Sequence, residues 1–129
     1  MNMQTIYILD YDTDIAYALC AWFKVKGFEA KHFSKLEQLF LLLQTQQPDY
    51  IILDCLFGRI SLIAEICHTL QNIFHYKGKI FLTSTSTISA KDMKACNAAA
   101  FIPKPFDFSR ILQLVNEVAS TNLVESVAK

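Results

Sequence analysis

Five short runs rich in apolar residues, at 6–9, 28–33, 50–53, 80–82 and 100–102, are spaced along 129 residues with stretches of helical period between them. The central runs are apolar throughout rather than alternating, which suits strands buried on both faces, and such strands need helices above and below them. The intervening stretches supply those helices through Ile15, Leu19, Trp22 and Phe23, then Leu36, Leu39, Phe40 and Leu43, then Ile63, Ile66, Cys67 and Leu70, and last Ile111, Leu114, Val115 and Val118. Each set falls on one face of a helix and offers one stripe to a sheet. The fourth stretch, residues 89–97, has only a thin stripe but opens on Ser89 and closes on Asn97, so it is expected to be the most mobile helix. Gly27 is placed to end the first helix, Ser34 with Glu37 spells a capping box at the second, and Asp107 or Ser109 is placed to cap the last. The pattern predicts an α/β domain with a five-stranded parallel sheet and five helices divided over both faces, a doubly wound (βα)5 arrangement.

With 53% hydrophobic and 19% charged residues the chain has the material for one packed core, and intrinsic disorder is excluded. Twelve basic residues balance twelve acidic ones, which leaves no electrostatic footprint for nucleic acid or an anionic membrane. The longest apolar run, residues 39–43, is far shorter than a membrane helix, and the start Met1-Asn2-Met3-Gln4 lacks a secretory pattern, so a cytoplasmic setting is expected. Cys20, Cys55, Cys67 and Cys96 form no CxxC pair and no zinc spacing with a histidine; they read as reduced core residues. His32, His68 and His75 are scattered and read as surface or edge residues.

Ligands of open α/β sheets bind at the carboxyl ends of the strands, and here those ends are polar. Asp10 and Asp12 follow the first strand, Asp54 the third, Thr83 and Ser84 the fourth, and Lys104 the fifth. Carboxylates from two strand ends offer hard oxygen ligands to Mg²⁺, and a lysine with a hydroxyl opposite supplies the contacts a phosphoryl group needs. This combination points to metal-assisted phosphoryl chemistry at an aspartate.

Over about residues 5–119 the chain resembles the receiver domain of bacterial two-component response regulators, a flavodoxin-like fold. The resemblance rests on residues 6–10, on Pro48-Asp49-Tyr50-Ile51-Ile52-Leu53-Asp54, on Leu82-Thr83, and on Phe101-Ile102-Pro103-Lys104-Pro105-Phe106. It implies that Asp54 accepts a phosphoryl group from the phosphohistidine of a histidine kinase or phosphotransfer protein. It further implies Mg²⁺ held by Asp10, Asp54 and the Leu56 backbone carbonyl, Thr83 binding the acyl phosphate, Lys104 pairing with phosphoryl oxygens, and Phe101 turning as the switch. A cis Lys104-Pro105 bond is implied as well. Residues 1–119 would form the receiver domain and 120–129 a tail or linker stub. The state would pass to an unknown effector protein through the face made by the fourth helix, fifth strand and fifth helix. The chain would be a monomer or weak dimer, with no catalysis beyond its own phosphoryl transfer and dephosphorylation.

Four departures from the family pattern modify those expectations. Tyr11 stands where a second acid is usual, so Mg²⁺ affinity should fall; Asp12 is a possible substitute ligand, but its position also suits the N-cap of the first helix. The loop Cys55-Leu56-Phe57-Gly58-Arg59 lacks the family's proline and is one residue short. Asn97-Ala98-Ala99-Ala100 replaces a segment with two acids, and Pro103 removes a backbone donor at the fifth strand's end. Tyr11 and the short loop support an alternative, a pseudo-receiver that binds partners without being phosphorylated. Asp10-Tyr11-Asp12 also suggests a haloacid dehalogenase-type phosphatase, but Asp14 stands where that family has threonine.

Overall fold

A computed structural model describes residues 3–57 and 63–128, with side chains described to residue 120. The strands are β1 (Thr5–Leu9), β2 (Glu29–His32), β3 (Tyr50–Asp54), β4 (Lys79–Ser84) and β5 (Ala100–Pro103). They alternate with α1 (Thr13–Val25), α2 (Leu36–Leu43), α3 (Ile63–Asn72), α4 (Ala90–Cys96) and α5 (Phe108–Ala128). All strand pairs are parallel and the sheet order is β2-β1-β3-β4-β5, so the chain reverses its direction of winding between β1 and β3. The crevice at that reversal lies beyond the ends of β1 and β3, where Asp10 and Asp54 stand.

The period of two along each strand divides the core into two layers. Tyr7, Leu9, Ile51, Leu53, Ile80 and Leu82 face Leu39 and Leu43 of α2, Ile66, Cys67 and Leu70 of α3, and Cys96 of α4. Ile6, Ile8, Ile52, Phe81 and Ile102 face Ala16, Leu19 and Phe23 of α1 and Ile111 and Val115 of α5. Every residue of β3 is buried, which is why its sequence shows no alternation. The stripe residues read from the sequence are buried or half-buried in these layers, except Ile15, which is half-buried but outside both. All four cysteines are free and buried.

The helix ends show where local rules acted. After α1, Phe28 N–H donates to the Phe23 carbonyl at 3.0 Å and Gly27 N–H to that of Lys24 at 3.1 Å, while Gly27 takes φ +95°. This is a Schellman motif, and the Phe23 and Phe28 rings make its apolar contact at 5.0 Å. Asn97 closes α4 in the same left-handed manner at φ 50°. The capping box at α2 differs from the expected Ser34–Glu37 pair: the helix starts one residue later, and the Gln38 side-chain oxygen accepts from the N–H groups of Ser34 and Lys35. Glu37 is simply an acid in the first turn, where the helix dipole favours it. No helix among the described residues is long and apolar enough to cross a membrane.

A Cβ at Gly27 would meet nothing within 4 Å, so Gly27→Ala tests backbone conformation alone. The expected cost is about 1 kcal/mol, read as a lower urea midpoint with an unchanged slope.

Candidate functional site

Three strand ends converge on one ion cluster. Lys104, the residue after β5, places its Nζ 2.9 Å from Asp10 Oδ2 and 2.9 Å from Asp54 Oδ2. The two aspartates are 3% and 1% exposed, so the ammonium neutralises carboxylates that have almost no water. Lys104 is carried there by sheet pairing, since its N–H donates to the Ser84 carbonyl at 2.8 Å. The missing donor at Pro103 falls on β5, an edge strand, where a sheet tolerates proline. The Lys104-Pro105 bond that follows is cis, as the resemblance implied.

Backbone amides hold the remaining carboxylate oxygens. Tyr11 N–H donates to Asp54 Oδ2 at 3.0 Å, Leu56 N–H to Asp54 Oδ1 at 3.0 Å, and Asp12 N–H to Asp10 Oδ1 at 2.8 Å. These donors were invisible to sequence reasoning, because any residue but proline carries an N–H and the side chain says nothing of its aim. Tyr11 engages Asp54 through its backbone, while its side chain is 71% exposed. The ring neither fills the space of a missing acid nor brings its hydroxyl to Asp54. It lines an open cleft of about 590 Å³ with Asp10, Ser34, Lys35, Leu36 and Phe57.

Thr83 sits opposite Asp54 in the β3–β4 register and is fully buried, with no hydrogen-bond partner for its hydroxyl. A buried hydroxyl without a partner costs free energy that an incoming acceptor would recover. Phe101 pairs with Leu82 across β4 and β5 and is half-buried against the α2–α3–α4 core layer. Asp12 is the N-cap of α1: its Oδ1 accepts from Asp14 N–H at 3.0 Å and Ile15 N–H at 3.2 Å. Of the shortened loop, Gly58 and Arg59 lie outside the described residues.

Burial holds the Asp10 carboxyl above the usual carboxylate range, the Asp54 charge adds to this, and contacts with Lys104 and Asp12 N–H oppose it without cancelling it. Burial alone would pull Lys104 down, but its hydrogen bonds to Asp10 and Asp54 lift it above the ordinary lysine value. Burial next to Asp54 also pushes the Cys55 thiol up to about 11.

The oxygen donors can be weighed against Mg²⁺. Two buried carboxylates against one ammonium leave an excess of one negative charge, and Mg²⁺ commonly takes one or two protein carboxylates with waters and phosphate. The donor type and charge fit, but the set is short, since no cluster of three or more His, Cys, Asp or Glu suited to a metal occurs among the described residues.

The chain matches the response regulator receiver domain model over residues 6–116 and belongs to that family. Receiver domains are modules of phosphorylation-based signalling that act with histidine kinases or phosphotransfer proteins and with effectors. In fold the chain is similar to DrrB, a Thermotoga maritima response regulator described as an OmpR/PhoB homologue (TM-score 0.78, 17% identity, covering 94% of this chain and 54% of that one). It is also similar to a CheY-like receiver domain protein from Methanospirillum hungatei JF-1 (TM-score 0.77, 17% identity, 96% and 99% covered). A third similar structure is a response regulator from Burkholderia pseudomallei with a phosphorylated aspartic acid, a calcium ion and citrate (TM-score 0.68, 17% identity, 95% and 74% covered). The chain thus spans about half the length of DrrB. A search of the curated proteins gave no match.

Two outcomes are expected. Asp12→Ala should cost about 1 kcal/mol through the lost cap, whereas Asp12→Asn should be nearly neutral in stability and leave Mg²⁺ affinity unchanged by calorimetry. A loss of Mg²⁺ affinity in Asp12→Asn would make Asp12 a ligand. In chelator, Asp10→Asn should gain stability relative to the parent as pH rises. The parent's folded state holds the Asp10 proton more tightly than the unfolded chain does, so its stability falls with pH between about 3.9 and the folded pKa. The gap in urea midpoint should therefore be smallest in acid and largest at neutral pH; the opposite trend would show that Lys104 outweighs burial.

Proposed function

We propose that this chain is a working receiver that accepts a phosphoryl group on Asp54 from the phosphohistidine of a histidine kinase or phosphotransfer protein. The observation that carries the reading is the buried Asp10–Lys104–Asp54 cluster beside the unpartnered Thr83 hydroxyl. An Asp54 carboxylate oxygen attacks phosphorus, the P–N bond breaks, and its electron pair stays on the imidazole nitrogen, which takes up a proton. Lys104 is placed to follow the charge from the carboxylate to the phosphoryl oxygens, and Thr83 to donate to one of them. Asp10, Asp54 and the Leu56 carbonyl would hold Mg²⁺, which when bound neutralises phosphoryl charge.

Recruitment of Thr83 opens space on the β4–β5 side, where Phe101 can turn inward and alter the α4-β5-α5 face for an effector protein. The domain would act in the cytoplasm, as a monomer or weak dimer without nucleic-acid or membrane contacts, and turn over no substrate beyond its own acyl phosphate. The pseudo-receiver is the second reading. Its support is Tyr11, whose exposed side chain leaves the site one acid short.

Incubation with Mg²⁺ and acetyl phosphate, followed by intact mass, distinguishes the two. The working receiver gains one phosphoryl group, the adduct is lost in Asp54→Asn, and Tyr11→Asp raises its yield at low Mg²⁺. No adduct in the parent, together with restored labelling in Tyr11→Asp, would establish the pseudo-receiver.

A further inference from the structure

Helix α4 is fastened to the domain in an unusual way. Its only buried side chain is Cys96, while Ala90, Lys91, Lys94 and Ala95 are exposed. Cys96 meets α3, where Cys67 is equally buried in the same core layer. Cys96 Sγ donates to the Ile63 carbonyl at 3.8 Å, one helical turn before Cys67 on α3. Gln71 of α3 adds a tether by donating to the Cys96 carbonyl at 2.8 Å. Cys67 stands on α3 midway between Ile63 and Gln71, the two residues that hold Cys96, so the two buried thiols lie side by side where α3 and α4 pack.

We propose that Cys67 and Cys96 are a dithiol switch that a peroxide oxidises to an intramolecular disulfide, locking α4 onto α3. The Cys96 sulfur attacks one peroxide oxygen, the O–O bond breaks, and a sulfenic acid forms as water or an alcohol leaves. The Cys67 sulfur then attacks the sulfenic sulfur, the S–O bond breaks, and a second water leaves with the thiol protons. In sum two thiols and one hydrogen peroxide give one disulfide and two waters, with two electrons passing to the peroxide. Cys96 is the attacking sulfur because it is carried on the lightly anchored α4, and Cys67, which stays in α3, is the resolving one. Reagent reaches them when α4 opens locally, an event favoured in a seven-residue helix whose only fully buried side chain is Cys96.

Cys20, a residue of α1, lies in the other core layer and serves as an internal control. That the lock would alter output rests on the reading of α4 under Proposed function; the disulfide itself does not, so the two can fail separately.

The test treats the full chain with hydrogen peroxide, quenches it, blocks remaining thiols in denaturant with N-ethylmaleimide, and maps peptides without reduction. The expected result is a monomer lighter by two hydrogens before the block and carrying two N-ethylmaleimide groups rather than four after it, linked Cys67 and Cys96 peptides, alkylated Cys20 and Cys55, reversal by dithiothreitol, and slower amide exchange in α4. The same linkage should form in Cys20→Ala. Alkylation of both Cys67 and Cys96, a sulfinic acid at Cys96 without linkage, or a bond to Cys55 or between two copies would overturn the proposal.

Discussion

The Lys104 ammonium between Asp10 and Asp54 is the interaction on which the site's geometry depends. Two carboxylates at the ends of β1 and β3, 3% and 1% exposed, would repel one another and pay a large desolvation cost without it. Its presence depends in turn on β5 pairing with β4, because the hydrogen bond from Lys104 N–H to the Ser84 carbonyl sets where the side chain starts. Closing the sheet edge and neutralising the site are therefore one event. Amides of Tyr11, Asp12 and Leu56 complete the arrangement, so every carboxylate oxygen has a partner while Thr83 alone in the cluster waits with an unused hydroxyl. That asymmetry sets Thr83 apart as the group in the cluster with hydrogen-bonding capacity to spare.

Tyr11 alters the balance of this cluster without disturbing its scaffold. Its N–H would be supplied by any residue other than proline, so the Asp54 contact survives the change of side chain. What changes is charge: the cluster carries an excess of one negative charge, and the ring turns to the cleft shared with Leu36 and Phe57. The backbone of this loop position therefore serves the cluster while its side chain serves the cleft.

The helices differ in how firmly each is secured to its face of the sheet. On one face, Leu19 and Phe23 of α1 and Ile111 and Val115 of α5 bury large apolar side chains. On the other, α4 contributes a single buried cysteine against Cys67 of α3. Less apolar area is removed from water there, so less free energy resists opening of α4 than of α1 or α5. The helix expected from its thin stripe to be the most mobile is the one with the least buried attachment.

Strand and helix order, the stripe residues, and the convergence of Asp10, Asp54, Thr83 and Lys104 on one edge were legible in the sequence. Periodicity is a local property, and in a parallel sheet all strand ends share one side, so naming the residue after each run names the rim. Other features required the folded chain. Gln38 rather than Glu37 completes the α2 cap because a one-residue shift in the helix start changes which side chain reaches back. Asp12 serves α1, and the amides of Tyr11 and Leu56 serve Asp54, through backbone directions that no residue type encodes. Cys67 and Cys96, 29 positions apart, become neighbours only when α3 and α4 pack. The sequence by itself determined which segments are strands and helices and which groups crowd the rim, since these follow from patterns a few residues long. Register, caps and contacts between distant side chains were decided by tertiary structure, because they depend on how complete elements settle against one another.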